Sequence, residues 1–557
     1  RTPDMMAFFT NIFGIKYPWE KYAQIVVRDF VSGAMENTTA TVHAEDVQAD
    51  TRSFIDGNSD AVIAHELAHH WFGNYVTAEA WGQLPLNESF ANYSEYLWAE
   101  YSKGPLEADL GNLQEMTAYL NESENKQVPM IRYFYKHADE MFDSHSYAKG
   151  GRILHMLRKY VGDEAFFASL HEYLKTNAFG TAEIAKLRIA FEKITGEDLN
   201  WFFDQWFLNS GHPILAIQQT YIPELKEVVL NVEQKQDLIK GTLYTLPLQV
   251  NIWHNGKKNS YPIMLNQAKQ SFVFPALHKP DFIQFDGKSQ LLGVVEFKQS
   301  IQAMASQFNH TTDFQPKYES LLFMQDKAND PIGYNILTKA MKESFWKFRQ
   351  MAVSFFNGYE GKNLAEIERT IQAMATSDPH PQVRTEALIT LSSFKNRNYE
   401  SIYRIAIQDS SYQVSALALE KYLEGNPKDA AEIALQFENA PNGQLITAVA
   451  NYYADLVQPE RFDWYTDKMQ AMKVMDKYNF IQVFGKYLIK SDPLVQMRGI
   501  PILENLARND PSYFVRFSAF QSLGLLIDTP IVNDILKDIK SKETDSKLME
   551  IYQQIAD

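Results

Sequence analysis

The sequence predicts a multidomain α+β protein with a mostly helical N-terminal domain, a small β-sandwich and a C-terminal α-solenoid. Residues 1–213 are dominated by amphipathic helical patterns, while residues 214–297 form short runs in which apolar and polar side chains alternate. Helical periodicity returns in residues 298–557. The length of 557 residues corresponds to roughly four domains of about 150 residues each, and a hydrophobic content of 45% suffices for several packed cores.

The composition excludes several classes of function. The formal net charge is −16 and no cluster of Lys and Arg offers a footprint for phosphate groups, so we expect no nucleic acid partner. The chain has no Cys, which excludes disulfides, thiol catalysis and Cys-based zinc sites. No run of about 18 apolar residues could span a membrane. The localisation stays unknown, because a Cys-free protein suits both cytoplasmic and periplasmic or secreted surroundings.

Residues 62–74 carry the H-E-x-x-H spacing on a segment with a helical pattern. Four residues advance about 400° on an α-helix, so His65 and His69 lie within about 40° of each other and can bind one ion. Glu66 then falls beside that ion, where it can act as a base on metal-bound water. The spacing predicts a zinc hydrolase with one Zn²⁺ per chain, and the alternative is a chance pattern on a buried helix.

A third metal ligand is expected on a second helix. Catalytic zinc takes three protein ligands and one open position. Glu88 is separated from His69 by 18 residues and opens another apolar-periodic segment. We therefore expect His65, His69 and Glu88 to hold the metal. His70 lies about 100° around the helix from His69, and we expect it to pack beside the site without binding the ion.

Other local patterns predict where individual elements begin, end and repeat. Residues 58–60 (N-S-D) form a good N-cap cluster for the metal-binding helix, which we expect to run through Trp71. Asn255 and Gly256 predict a two-residue hairpin turn. A D-x-x-x-x-V-x-x-x-A phrase resembles a HEAT-type helical repeat and begins at Asp378, Asp409 and Asp510.

Four ordered motifs resemble those of the gluzincin zinc aminopeptidases of the aminopeptidase N type. Two are the H-E-x-x-H run and the N-E-S-F-A run at residues 87–91, which is similar to the family's N-E-G-F-A. Residues 33–37 (G-A-M-E-N) are identical to the family's exopeptidase motif, and residues 147–150 (Y-A-K-G) match the run that carries its catalytic tyrosine. The resemblance covers roughly residues 1–213 by motif and the remainder by architecture.

The resemblance implies a zinc-dependent aminopeptidase that releases the N-terminal residue of a peptide by attack of a metal-activated water. It implies a thermolysin-like catalytic domain over residues 1–213, a β-sandwich domain over 214–297 and a helical HEAT-like repeat domain over 298–557. Glu66 would be the base and Tyr147 the donor to the oxyanion. The residues expected to bind a peptide with a free N-terminus are Gly33, Ala34, Met35, Glu36 and Asn37.

The chain departs from the family at Gln83, Pro85 and Ser89, where relatives carry an acid, a Trp and a Gly. None of these residues is a ligand, so the departures concern the surroundings of the site. A catalytically silent, aminopeptidase-like scaffold for protein interaction is the alternative, but such a protein would be expected to lose ligands or the base. A zinc endopeptidase is a third possibility, and the G-A-M-E-N motif argues against it.

The resemblance also predicts that one domain of the relatives is missing from this chain. Relatives carry a β-rich domain before the catalytic domain, whereas only a short helix and a strand are expected before Gly33. That domain normally completes the amine pocket. We therefore expect the N-terminal β domain to be missing and this chain alone to hydrolyse aminoacyl substrates poorly.

Overall fold

The computed structural model describes residues 1–28, 30, 32–239 and 241–555, and this part of the chain divides into two compact units. No helix among these residues is both long and apolar enough to cross a membrane. The first unit comprises Arg1–Ile25, Ala34–Val42 and Ser59–Phe348. The second comprises Val26–Gly33, His43–Asn58 and Arg349–Asp557. Each unit is therefore assembled from segments that are distant in sequence.

Residues 1–213 are mainly helical, with short strands between the helices. The helices are α1 Thr2–Phe13, α2 Thr51–Asp56, α3 Asp60–Ala68, α4 Pro85–Lys103, α5 Pro105–Ser123, α6 Gly150–Val161, α7 Asp163–Thr176, α8 Ile184–Thr195 and α9 Asn200–Phe203. The strands are β1 Ala23–Val27, β2 Ala34–Met35, β3 Ala40–Ala44, β4 Val76–Ala78 and β5 Gly180–Ala182. The first three form a sheet in the order β1-β3-β2, and β4 pairs with β5 in parallel.

Helices α3, α4 and α6 meet in the hydrophobic core of the first unit. Leu67 on α3, Phe90 on α4 and Leu154 on α6 are all buried in it. The periodic apolar positions of α4 face this core. Their burial fixes the rotation of the helix about its axis, and with it the direction in which Glu88 points.

Helix α3, which we expect to carry the two histidine ligands, is shorter than the sequence predicts. Its N-cap residue is Ser59, within the predicted cluster, but the Ser59 side chain makes no capping hydrogen bond. The α-helix ends at Ala68 and does not run through Trp71. Beyond it the chain tightens into a turn in which the Asn74 N–H donates to the His69 carbonyl at 2.8 Å. This turn leaves His69 at the C-cap position.

Residues 214–297 form two small sheets, with strand orders β10-β7-β6-β12 and β11-β8-β9. The strands are β6 Ile214–Ile222, β7 Glu227–Gln234, β8 Leu246–His254, β9 Lys257–Leu265, β10 Lys269–Pro275, β11 Phe282–Gln284 and β12 Val294–Phe297. Strands β8 and β9 pair antiparallel from Leu246↔Leu265 to His254↔Lys257. Asn255 and Gly256 join them, and their φ angles of 49° and 70° are those of a type I′ turn. The predicted hairpin is confirmed.

The rest of the chain is helical. The helices that begin in the first unit are α10 Ile301–His310, α11 Phe314–Phe323, α12 Pro331–Ala340 and α13 Trp346–Ser354. Those of the second unit are α14 Leu364–Ser377, α15 Pro381–Ser392, α16 Glu400–Ala406, α17 Tyr412–Glu424, α18 Ala430–Phe437, α19 Gly443–Leu456, α20 Phe462–Ala471, α21 Val474–Lys490, α22 Pro493–Asn509, α23 Tyr513–Gly524, α24 Pro530–Lys542 and α25 Ser546–Gln554.

Repeated aspartates of the second unit bind arginines of neighbouring helices. Arg349 makes two 2.8 Å hydrogen bonds to the Asp378 carboxylate. Arg384 donates to the Asp378 carbonyl and makes two 2.7 Å bonds to the Asp409 carboxylate. These contacts give the repeated phrase a structural role. The HEAT-like solenoid and the three-domain division stay predictions.

The segment of residues 43–58 packs within the second unit, although it lies early in the sequence. The Asp56 carboxylate accepts hydrogen bonds from the Ser411 hydroxyl and from the Gln413 N–H at the start of α17. Arg52 donates to the Asp409 carbonyl at 2.7 Å, and its guanidinium lies 4.1 Å from the centre of the Tyr412 ring. These contacts hold α2 against the helical part of this unit.

Candidate active site

The side chains of His65, His69 and Glu88 converge as the sequence predicts, with ligand atoms that all lie within 4.8 Å of one another. Glu88 Oε2 is 3.3 Å from His65 Nε2 and 3.4 Å from His69 Nε2. Helix α3 and the turn after it supply the two imidazoles, and the first turn of α4 supplies the carboxylate. Two nitrogens and one oxygen facing a common point fit the donor set of a catalytic zinc site.

The other nitrogen of each imidazole is held by the surrounding protein. His65 Nδ1 lies 2.8 Å from Glu95 Oε1, and His69 Nδ1 lies 3.0 Å from the Phe72 carbonyl oxygen. A proton on each Nδ1 can donate to these acceptors, which leaves both Nε2 lone pairs for a metal. Neither partner was predicted from the sequence. Glu95, seven residues after Glu88 on α4, is the one that helical spacing could have indicated.

Glu66 lies next to the triad, by which we mean the three candidate metal ligands His65, His69 and Glu88. It is buried, and its Oε2 has no hydrogen-bond partner among the described residues. Burial raises the pKa of Glu66 to about 7, against the lowering effect of the nearby His69 and His65. A carboxylate with a pKa near neutrality and a free oxygen can take up and release a proton.

The G-A-M-E-N segment brings Glu36 to the same place. One carboxylate oxygen of Glu36 lies within 4.8 Å of ligand atoms of Glu66 and His69. Gly33 precedes β2, Ala34 and Met35 form that strand, and β2 lies at the edge of its sheet. Asn37 follows Glu36 directly. The segment therefore combines an open strand edge with an acid that points toward the triad.

Two polar side chains fix the backbone around Glu36. Asn74 Nδ2 donates to the Glu36 carbonyl at 2.8 Å. The Thr39 N–H donates to His70 Nε2 at 3.0 Å, and His70 Nδ1 lies 3.2 Å from the Glu66 carbonyl. Burial lowers the pKa of His70 to about 4, so the ring is neutral and can accept this bond. His70 packs beside the site as predicted, whereas the role of Asn74 was not predicted.

Tyr147 reaches the triad from a π-helical turn, His145–Lys149, that leads into α6. Its ring stacks on His65, with centroids 5.9 Å apart and an angle of 9° between the planes. Burial and the nearby Glu88 carboxylate raise the pKa of the phenol above its usual value. The hydroxyl therefore stays protonated and can donate a hydrogen bond.

The three residues that depart from the resembled family each have a local partner or position. Gln83 Oε1 accepts from the Ile184 N–H at 2.9 Å. Pro85 occupies the first turn of α4, where a missing N–H is tolerated. Ser89 Oγ donates to the Ser146 carbonyl at 2.7 Å. None of the three disrupts the convergence of the ligands.

A second group of metal-ligand types, Glu122, Asp143 and His145, also has atoms within 4.8 Å of one another. Its charges are already balanced by the protein. Asp143 accepts from Arg132 Nη2 at 2.9 Å and pairs with Lys126, while His145 Nδ1 lies 2.6 Å from Glu122 Oε2. Arg132 and Lys126 occupy the Asp143 oxygens that a metal would need, and His145 contacts Glu122 Oε2, so this group does not fit a metal site.

Comparison with known sequences matches residues 1–206 to the model of the peptidase family M1 domain. Aminopeptidase N of Lactococcus lactis subsp. lactis is 33% identical over 272 residues, which cover 44% of this chain and 30% of the relative. Aminopeptidase M1 of Arabidopsis thaliana is 34% identical over 241 residues, which cover 42% of this chain and 27% of the relative. The matched part therefore spans less than a third of these relatives.

Comparison with solved structures extends the likeness to the whole chain. The crystal structure of Legionella pneumophila aminopeptidase A in complex with aspartic acid matches with a TM-score of 0.69 and 14% sequence identity. The match covers 99% of this chain and 72% of that chain. The chain thus shares its fold with an aminopeptidase structure, and its first 206 residues are similar in sequence to a peptidase family M1 domain.

Proposed function

We propose that this chain belongs to a zinc-dependent aminopeptidase of the M1 family, which releases the N-terminal residue from peptides. The observation that supports this most directly is the convergence of His65 Nε2, His69 Nε2 and a Glu88 oxygen, with each Nδ1 bound elsewhere. These three residues would hold one zinc ion. When bound, zinc polarises the scissile carbonyl and lowers the pKa of a water molecule from about 15.7 toward 7.

Glu66 and Tyr147 supply the proton transfers and the charge stabilisation. Glu66 would take the proton of the attacking water at its free Oε2 and later pass it to the leaving nitrogen, and burial, which raises the pKa of this carboxyl group, favours its protonation in the first of these transfers. Tyr147 donates its hydroxyl proton in a hydrogen bond to the oxyanion that forms during the attack. Its raised pKa keeps the donor protonated throughout this step.

Glu36 restricts the reaction to the end of the peptide. Its carboxylate accepts hydrogen bonds from the free ammonium group of the peptide. The peptide adds as a further strand to the sheet edge formed by Gly33, Ala34 and Met35. Asn37 continues this segment. An N-acetylated peptide has no ammonium group to donate hydrogen bonds to the half-buried Glu36 carboxylate, so it should not be cleaved.

The catalytically silent scaffold is the second candidate function. It would be expected to lose a ligand or the base, and this chain retains His65, His69, Glu88 and Glu66. That a further β domain completes the amine pocket stays a prediction.

Zinc content and substrate choice test the proposal together. We expect about one zinc ion per purified chain, and a His65→Ala, His69→Ala double variant should lose it. Aminoacyl fluorogenic substrates should be cleaved by the zinc-loaded protein, and a chelator should abolish cleavage. Stoichiometric zinc in the double variant would remove the metal assignment, while equal rates on free and N-acetylated peptides would show an endopeptidase.

A further inference from the structure

The residue after Glu88 makes a hydrogen bond that leaves its own helix. Ser89 Oγ donates to the carbonyl of Ser146 at 2.7 Å, and Ser146 directly precedes Tyr147. Ser89 is 1% exposed, so water does not compete for this bond. We propose that Ser89 is a positioning residue, which holds Tyr147 in place over the metal site through the Ser146 carbonyl. This inference rests on the proposed role of Tyr147.

The turn that carries Tyr147 receives support from a neighbouring helix. It is a π-helical turn, a geometry that is rare in proteins and occurs mostly as single turns at functional sites. Ser89 supplies such support from α4, the helix that also carries Glu88. The same helix therefore provides one metal ligand and a hydrogen bond to the backbone beside the oxyanion donor.

Two glycines follow the turn directly, at the start of α6, and bring this part of the chain into direct contact with α4. A Cβ atom on Gly150 would lie 1.8 Å from Ser89 Oγ and 2.4 Å from Ser89 Cβ. A Cβ atom on Gly151 would lie 2.2 Å from Asn92 Oδ1. No side chain fits between α4 and the start of α6. A displacement of one of them therefore forces the other to move.

The hydroxyl of Ser89 is a feature of this chain, because the resembled family has glycine at this position. A glycine would leave the Ser146 carbonyl without this donor. The alternative role for Ser89 is to support its neighbour Glu88, and that role would appear as a change in zinc binding. The two roles are therefore separable by measurement.

Ser89→Ala removes the hydroxyl and keeps the Cβ atom. We expect its kcat to fall about tenfold, less than the roughly 10²- to 10³-fold loss of an oxyanion donor itself, with KM and zinc content unchanged. Ser94→Ala is the matched control, because Ser94 is on the same helix, is equally buried and donates to the Phe90 carbonyl at the same 2.7 Å. This bond stays within α4, so we expect wild-type kinetics.

A double-mutant cycle with Tyr147→Phe isolates the path of the effect. If Ser89 acts through Tyr147, Ser89→Ala lowers kcat no further in the Tyr147→Phe background. Multiplicative losses, a loss of zinc in Ser89→Ala, or wild-type turnover in Ser89→Ala would each overturn the inference. Wild-type turnover in Tyr147→Phe would overturn the proposed role of the tyrosine, and with it this inference.

Crystal structures of zinc-loaded wild type and Ser89→Ala give a readout that needs no turnover. We expect the Tyr147 ring to leave its stacked position on His65, or to occupy two positions, in the variant. An unchanged ring with an unchanged Ser146 carbonyl would overturn the inference, even if the chain hydrolyses no substrate.

Discussion

Lys149 places an amine in the core without a hydrogen-bonding partner. The side chain is fully buried, and Nζ has no hydrogen-bond partner among the described residues. Nζ lies 5.2 Å from the centre of the Tyr119 ring. Burial lowers the pKa of Lys149 to about 7, helped by Arg132 and opposed by Asp143. Burial also lowers the pKa of the nearby His145.

The lowered pKa makes stability depend on pH in a known direction. Between about pH 7 and 10.5 the unfolded chain binds a proton at Lys149 that the folded chain does not, so stability rises with pH. Below about pH 7 both states are protonated, and the full penalty is present. The difference between 10.5 and about 7 corresponds to roughly 5 kcal/mol, at about 1.36 kcal/mol for each pH unit.

Lys149→Met replaces the amine by an apolar group of similar length. Replacing a buried charge by a well-packed apolar group often stabilises a protein by about 1–4 kcal/mol. We therefore expect the Tm of the variant at pH 6.5 to exceed that of the wild type by about 1–6 °C, because the unfolding entropy of a unit of this size is roughly 0.7 kcal/mol/K. At pH 9.5 the difference should shrink, because the wild type regains roughly 3 kcal/mol over this range.

Differential scanning calorimetry measures the Tm difference between Lys149→Met and the wild type at pH 6.5 and at pH 9.5. Both proteins should carry the same amount of zinc. Lys175→Met, at an exposed position of α7, is the control and should change the Tm by less than about 1 °C at either pH. A lower Tm for Lys149→Met at pH 6.5 would refute the reasoning and show that the ammonium group is well paired. A Tm difference that is the same at both pH values would refute the lowered pKa.

Two further predictions concern contacts around the site. Asn74→Ala should raise KM for free peptides about fivefold with little change in kcat, because the Glu36 carbonyl loses a bond of about 1 kcal/mol. Asn177→Ala removes a 2.8 Å bond to the Tyr173 carbonyl and should leave KM unchanged, and equal effects of the two variants would contradict the role of Asn74. Gly150→Ala should lower the free energy of unfolding by at least about 1–3 kcal/mol in urea denaturation. Gly111→Ala, where a Cβ atom would meet nothing within 4 Å, should leave stability equal or higher, and a tolerated Gly150→Ala would show that α4 and α6 can separate.

The sequence predicts most of the candidate metal site because helical geometry relates its residues. The spacing of His65 and His69 follows from the helix period alone, and Glu88 follows from the need for a third ligand. The Asn255-Gly256 turn is predicted for a similar reason, since both residues tolerate positive φ. Such local rules act over a few residues and need no knowledge of the rest of the chain.

The partners of these residues could not be predicted in the same way. Asn74 and Ser89 each bind a backbone carbonyl of a distant segment, and no periodic pattern marks a carbonyl as an acceptor. The early end of α3 at Ala68 depends on a turn closed by backbone bonds, which override the helical pattern. The resemblance to a known family supplied the positions of Glu36 and Tyr147, and periodicity alone would have left both among ordinary surface or packing residues.

The discontinuous second unit has a consequence for the order in which the protein is made. Residues 43–58 leave the ribosome early, whereas their partners Ser411, Tyr412 and Gln413 are synthesised more than 350 residues later. The carboxylates of Asp50 and Asp56 therefore stay exposed to solvent until α17 has left the ribosome. Folding of this unit is tied to the completion of the chain, and a fragment that begins at Arg349 would lack a part of its own structure.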